Sequence, residues 1–151
     1  MKYLKLIVCA GLAMSLILLM EYLLVGNPTV LLNNEKLGHV IDSLDEETET
    51  VDLNELVPFR WDTLYTFPAY TGKEEIAEII GFESRDIKSN DVSEGMVHLL
   101  FVDGTTVAAS ILEQPESLGY DLDFPDRITY AEEAQFTVER EDGVTVLTLR
   151  E

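Results

Sequence analysis

The longest apolar stretch of the chain, Leu6–Val25, has twenty residues and one charge, Glu21. A helix that rises 1.5 Å per residue would extend about 30 Å over this length, the thickness of a bilayer's hydrocarbon core. Lys2 and Lys5 precede it, and the positive-inside rule then places the N-terminus in the cytoplasm. We therefore predict an uncleaved signal-anchor helix over residues 1–26, embedded in the lipid bilayer. The prediction gives a single-pass cell-membrane protein whose C-terminal part is extracytoplasmic.

Two other fates remain open for this segment. Cleavage as a secretory signal requires small residues at the −3 and −1 positions, and the best site, around Gly26, follows Leu24 and Val25. Lipidation requires a cysteine after a small residue, whereas Val8 precedes Cys9. Cys9 is the one cysteine of the sequence, so no disulfide, cysteine metal site or thiol nucleophile is expected beyond it.

Residues 27–50 do not show the pattern of a folded unit. Leu37–Ile41 has helical spacing of apolar positions, but the run over 42–50 is acidic and poor in apolar residues, which is typical of an exposed loop. We predict a tether over 27–50 and an extracytoplasmic domain over 51–151.

The first part of that domain predicts a strand and a helix. Phe59–Phe67 alternates with period two and places its aromatic side chains on one face. Residues 72–80 carry a stripe of isoleucines and end at Gly81, and Thr71 and Glu74 before them have capping-box spacing. We predict a helix that starts with Thr71 as its N-cap.

The remainder predicts antiparallel hairpins. Residues 96–112 form one around Asp103-Gly104, residues 135–150 form a second around Glu141–Gly143, and a short strand lies near Arg127–Tyr130. The predicted fold class is α+β. It has an N-terminal transmembrane helix followed by a small antiparallel sheet of about five or six strands, covered by one short helix.

The charge restricts the partners. The 151 residues contain 10 Lys and Arg against 29 Asp and Glu, a net charge of −19. Removing Lys2, Lys5 and Glu21 leaves eight basic and 28 acidic side chains in residues 27–151, a net charge of −20. Such a surface repels phosphates and excludes nucleic acid, whereas a basic protein would be attracted to it.

The sequence lacks the motifs of catalysis and metal binding. His39 and His98 are too few and too isolated for a zinc cluster, and no nucleophile elbow or glycine-rich phosphate loop is present. Residues 121–126, within a predicted loop over 113–126, begin like a calcium loop. Pro125 then stands where a ligand belongs and no glycine follows. We expect no enzyme, no cofactor and no metal.

The most distinctive part of the domain is the aromatic segment, which contains Trp61, Tyr65, Phe67 and Tyr70 within ten residues. It predicts either a ligand platform or, more often for a sheet face covered by a helix, ordinary core. His98 is likewise interpreted as a core or rim histidine in preference to a catalytic one. The candidate binding surface consists of Trp61, Asp62, Tyr65, Tyr70 and His98.

The residues WDTLYTFPAYT at 61–71, followed by KEEI at 73–76 and IG at 80–81, resemble a pattern of small membrane-anchored or lipoprotein-type proteins of Gram-positive bacteria. The likeness covers about 21 residues and extends loosely to Phe101–Gly104. The missing lipobox departs from the lipoprotein members. The resemblance implies a location and no mechanism, because the family has no established activity.

These observations lead to one expected function and one alternative. We expect a non-enzymatic binding or interaction domain. The alternative is an acidic inhibitor or immunity-type protein that captures a basic toxin or enzyme, since a charge of −20 would accelerate the encounter. A hydrolase is a third class, but no pair of carboxylates is distinguished by its spacing.

Overall fold

The computed structural model describes residues 2–89 and 93–150, without the side chains of 2–6, 18 and 21–25. The described part contains five α-helices, eight strands and a 3₁₀ turn at Tyr130–Glu132. The helices are α1 (Lys2–Val25), α2 (Pro28–Asp42), α3 (Leu53–Leu56), α4 (Lys73–Ile80) and α5 (Pro115–Leu118). The strands are β1 (Thr50–Asp52), β2 (Thr63–Tyr65), β3 (Val97–Asp103), β4 (Thr106–Glu113), β5 (Tyr120–Asp123), β6 (Arg127–Thr129), β7 (Gln135–Glu141) and β8 (Val144–Leu149).

The strands form two four-stranded sheets. The first sheet has the order β4-β3-β2-β6 and the second has the order β1-β7-β8-β5. The hairpins β3–β4 and β7–β8 are both expected from the sequence, and β3–β4 lies at one edge of the first sheet whereas β7–β8 forms the middle of the second. The pairs are antiparallel except β5–β8, which is parallel.

The first sheet is buried on both faces, which gives the molecule two cores. The inter-sheet core lies between the two sheets and contains Leu99 and Phe101 of β3 together with Leu147 of β8. The helix-side core lies under α4 and contains Leu100 of β3 together with Ile76 of α4. Successive side chains of a strand point to opposite faces, so β3 supplies both cores and is buried from Val97 to Val102.

Helix α2 lies along β4, at the edge of the first sheet. Its buried positions are Val30, Asn33, Leu37 and Ile41, a spacing of three or four residues that places them on one helix face. Leu37 and Ile41 belong to the inter-sheet core. The sequence assigns residues 27–50 to a tether, whereas the structure packs this helix against the sheet because its apolar stripe finds a partner there. The division at residues 26 and 50 stays a prediction.

The predicted numbers of sheets and helices are wrong. The sequence predicts one antiparallel sheet and one covering helix, whereas the structure has two sheets of four strands and five helices. The predicted loop over 113–126 contains α5 and β5. Strands of three or four residues such as β1 and β5 are too short to show a periodicity, and this is why they were missed.

The predicted transmembrane helix is also wrong. Among the residues that the structure describes, no helix has both the length and the apolar character needed to cross a membrane. The single-pass cell-membrane localisation, with its cytoplasmic N-terminus and extracytoplasmic domain, is overturned with it.

The lipid bilayer was inferred as a partner from a membrane-spanning helix over Leu6–Val25, and that span is not found among the described residues. The bilayer itself stays an untested prediction. The side chains of Lys2, Lys5 and Glu21, on which the predicted orientation depended, lie outside the described residues.

Candidate functional site

The aromatic segment does not form one surface. Trp61 is buried in the inter-sheet core, where its ring meets Phe101 edge-on at 5.8 Å and Tyr130 at 5.4 Å between centroids. Tyr65 packs against the helix-side core and stacks on Phe67 at 6.0 Å. The alternation does not continue through Trp61, because β2 begins only at Thr63.

The remaining candidates are also dispersed. Asp62 is exposed, and its Oδ2 accepts a hydrogen bond from the Gly104 N–H in the β3–β4 turn. Tyr70 is 60% exposed, with a backbone φ of 69°. His98 is buried on the side of the first sheet that faces α4, opposite to Trp61. The structure brings Tyr65 and His98 near a common ring, that of Phe67, and separates the others; their role in binding stays a prediction.

His98 is held as a neutral core residue. Its Nε2 lies 3.1 Å from the Lys88 carbonyl oxygen, which can only accept, so Nε2 carries the proton. Burial lowers the pKa of this imidazole, and the positive charge of Lys88 adds to the lowering, against the hydrogen bond to the Lys88 carbonyl. Nδ1 has no partner among the described residues. The Phe67 ring, 5.1 Å away, gives the imidazole an apolar neighbour.

No constellation for metal or redox chemistry stands out in residues 2–89 and 93–150. No group of three or more His, Cys, Asp or Glu in that part is arranged to hold a metal ion. A groove of about 890 Å³ lies between α4 and residues 81–87, with Glu74, Glu78, Lys73 and Arg85 on its walls. Lys73 Nζ donates to the Arg85 carbonyl at 3.1 Å, so this ammonium group connects α4 to the segment 81–87 on the other side of the groove.

The second sheet has one buried face and one uncovered face. Phe136 and Val138 of β7 are buried, and the residues between and beside them are not. The same alternation holds in β5, where Tyr120 and Leu122 are buried and Asp121 and Asp123 are not. We call the uncovered side the outer face. Its residues are Thr50, Asp52, Asp121, Asp123, Gln135, Thr137, Glu139, Glu141, Val144, Val146 and Thr148.

The charges of the outer face have one sign. Five of its residues are carboxylates, Asp52, Asp121, Asp123, Glu139 and Glu141, and none of its strand residues is Lys or Arg. Arg150, directly after β8, donates its backbone N–H to the Gln135 carbonyl at 2.8 Å at one end of the face. Arg140 belongs to the opposite side of β7. Its guanidinium donates to the carbonyls of Leu44 and Asp45 at 3.0 and 2.8 Å, and to that of Glu46 at 3.3 Å.

The side chains in the middle of the outer face are β-branched. Val144, Val146 and Thr148 follow one another along β8 and are each half-buried. Val146 lies opposite Glu139 on β7 and opposite Asp121 on β5, so carboxylates stand on both sides of it. The pKa of Asp121 is raised, first by its partial burial and then by the nearby charge of Asp123, against the lowering effect of a backbone hydrogen bond at Leu122.

Sequence reasoning missed this face. The alternation over Gln135–Glu141 and Val144–Leu149 indicated which residues share a side, but β5 was read as loop. The sequence predicts an acidic turn at the two acidic positions of β5, after the calcium-loop alternative is set aside. Without β5 the carboxylates on the far side of β8 could not be placed.

The chain matches no protein-family model, no curated protein and no solved structure. The fold and the outer face define an acidic α+β protein of two packed sheets.

Proposed function

We propose that this protein is a non-enzymatic binding module that holds a basic protein on the outer face of the second sheet. The observation that supports the proposal is an uncovered sheet face with five carboxylates and no Lys or Arg among its strand residues.

The carboxylates act together. Neighbouring strands lie about 4.8 Å apart, which is less than the Debye length of about 8 Å at physiological ionic strength. The potentials of Asp121, Asp123, Glu139 and Glu141 therefore overlap in front of the sheet, and a Lys- or Arg-bearing surface would be steered toward it. Partial burial is the main cause of the raised pKa of Asp121, and the nearby charge of Asp123 adds to it. A cation in front of the sheet would relieve this second contribution.

The composition of the outer face favours binding over chemistry. It contains threonines, valines and carboxylates, and neither of the two histidines lies on it. A nucleophilic hydroxyl requires an adjacent base with a suitable pKa, and threonine on a strand beside an ionised Asp or Glu does not meet that requirement.

The proposal is tested by placing a photo-crosslinking amino acid at position 148, on the outer face, in the full chain expressed in its own cells. Position 78, an exposed site on α4, serves as the matched control. We expect an adduct with a protein of net positive charge from position 148 alone. It should be lost at about 1 M salt, where the Debye length falls to about 3 Å, and in the double variant Asp121→Asn, Glu139→Gln. An adduct of equal yield from both positions, or one that survives both treatments, contradicts the proposal.

A second candidate function, inhibition of a basic toxin or enzyme, is favoured by the valines at the centre of the face. An apolar centre with a charged rim is the anatomy of durable protein interfaces. If the cross-linked partner is an enzyme, addition of one equivalent of this protein should abolish its activity. Undiminished activity of the saturated complex contradicts inhibition and leaves the binding function in place.

A further inference from the structure

We infer that the part of the partner that contacts the outer face is an amphipathic basic helix lying along β8. This inference rests on the proposed function and specifies the partner's recognition element. It depends on the shape of the apolar strip and on the positions of the carboxylates beside it.

The strip has the length of a short helix. Val144, Val146 and Thr148 extend over four residue steps of β8, about 14 Å at 3.4 Å per residue. A helix covers that distance in about nine residues, or two and a half turns. Two or three apolar side chains spaced three or four residues apart would then lie over the strip.

The width also fits. The carboxylates on β7, Glu139 and Glu141, and those on β5, Asp121 and Asp123, lie one strand to either side of β8. Two strand spacings are about 10 Å, and an α-helix with its side chains is about 10–12 Å across. Lys or Arg residues on both flanks of one helix would therefore reach both rows of carboxylates.

Other cationic partners fit less well. A partner strand would pair at an edge strand of the sheet, β1 or β5, and would leave Val146 in water. A disordered polycation would satisfy the carboxylates, but it would bring no apolar side chains to Val144 and Val146. The helix is the element that satisfies the charge and the apolar strip together.

The test uses three synthetic peptides and the full-length protein. Two peptides share one composition of leucine and lysine: one has leucines at helical spacing, the other alternates them with lysine. The third is an oligolysine of equal charge. We expect the helical-spacing peptide to bind at least about tenfold more tightly than the other two and to gain helical circular dichroism on binding.

Matched variants locate the site. Val144→Thr with Val146→Thr keeps β-branched side chains on the strand and should weaken the helical-spacing peptide about tenfold while leaving the oligolysine unchanged. Asp121→Asn with Glu139→Gln should weaken all three peptides. Glu78→Gln with Asp126→Asn makes the same change of charge at exposed positions off the face and should weaken none.

The outcomes separate the two proposals. If all three peptides bind equally, or if the valine variant binds as the wild type does, the helix inference is overturned while the binding function stands on the cross-linking result. If no peptide binds and position 148 yields no basic adduct, both proposals fail.

Discussion

The side chain of Asn34 on α2 forms two hydrogen bonds with the backbone of Ser110 on β4. Its Nδ2 donates to the Ser110 carbonyl at 2.8 Å, and its Oδ1 accepts from the Ser110 N–H at 3.0 Å. Asn33 Nδ2 donates to the Ala108 carbonyl at 2.8 Å. Two amide side chains thus occupy the position of a neighbouring strand's backbone, and α2 covers an edge that would otherwise be open to pairing with other chains.

The substitution Asn34→Asp is expected to destabilise the protein. The carboxylate keeps an acceptor for the Ser110 N–H but has no donor for the Ser110 carbonyl, and it places charge beside a carbonyl oxygen. We expect a loss of about 1–3 kcal/mol in the free energy of unfolding, measured by urea denaturation. Lys36→Gln, at an exposed position on the same helix, is the control. A loss no larger than that of the control would show that the edge contact is unimportant.

Alanine substitutions at two leucines of α2 test whether this helix is packed against the rest of the protein. Leu37 has no exposed surface, whereas Leu32 is 49% exposed. Leu37→Ala should cost about 2–5 kcal/mol because it leaves a cavity in the inter-sheet core. Leu32→Ala should change the free energy of unfolding by less than about 0.5 kcal/mol, the usual range for surface positions. Equal small effects would support the tether predicted for residues 27–50.

Burial of His98 predicts a dependence of stability on pH. Its pKa is lowered in the folded state, so the unfolded chain binds the proton more readily as pH falls through the ordinary value of 6.5. Stability should therefore fall from about pH 7.5 to about pH 5.5, with a contribution from this group of at most about 1.4 kcal/mol per pH unit.

The variant His98→Gln should remove that contribution while keeping an amide donor for the Lys88 carbonyl. Urea denaturation of wild type and variant at several pH values measures the difference. Leu32→Ala, at an exposed position on α2 without a titrating group, should keep the wild-type slope. An unchanged slope in His98→Gln would contradict the prediction.

Alanine substitutions at two glycines are expected to change the stability of the protein in opposite directions. Gly38 lies within α2, and a Cβ there would meet the Tyr120 ring at 3.6 Å, an ordinary contact. Gly38→Ala should stabilise the protein by about 0.5–1 kcal/mol. Gly143, in the β7–β8 turn, has a φ of 83°, and alanine there should destabilise by about 1 kcal/mol or more. Thermal unfolding of both variants checks the signs, and a stabilising Gly143→Ala would contradict the turn geometry.

The hairpins could be predicted from the sequence because their signals are local. Gly104 and Asp142-Gly143 have positive φ values next to strands that pair directly across them. Helix α4 was predicted over the right residues, but its start differs. Gly72 is the N-cap, and the Thr71 hydroxyl donates instead to the Pro68 carbonyl at 2.8 Å.

The other parts depend on partners distant in sequence. Asn34 and Ser110 are 76 positions apart, and nothing near either residue indicates the pairing. The aromatic alternation from Phe59 to Phe67 predicted one face, yet Trp61 and Phe67 belong to different cores. The candidate site was missed for the same reason, because the outer face exists only once β5 is paired in parallel with β8.

The central position of β8 determines when the second sheet can form during synthesis. β8 lies between β7 and β5, yet its residues are translated after those of every other strand of both sheets. Until residues 144–149 leave the ribosome, β5 has no strand beside it and the inter-sheet core lacks Leu147. The first sheet can be completed earlier, since β6 ends at Thr129. Until β8 emerges, the nascent chain therefore carries an incomplete inter-sheet core with uncovered apolar surface.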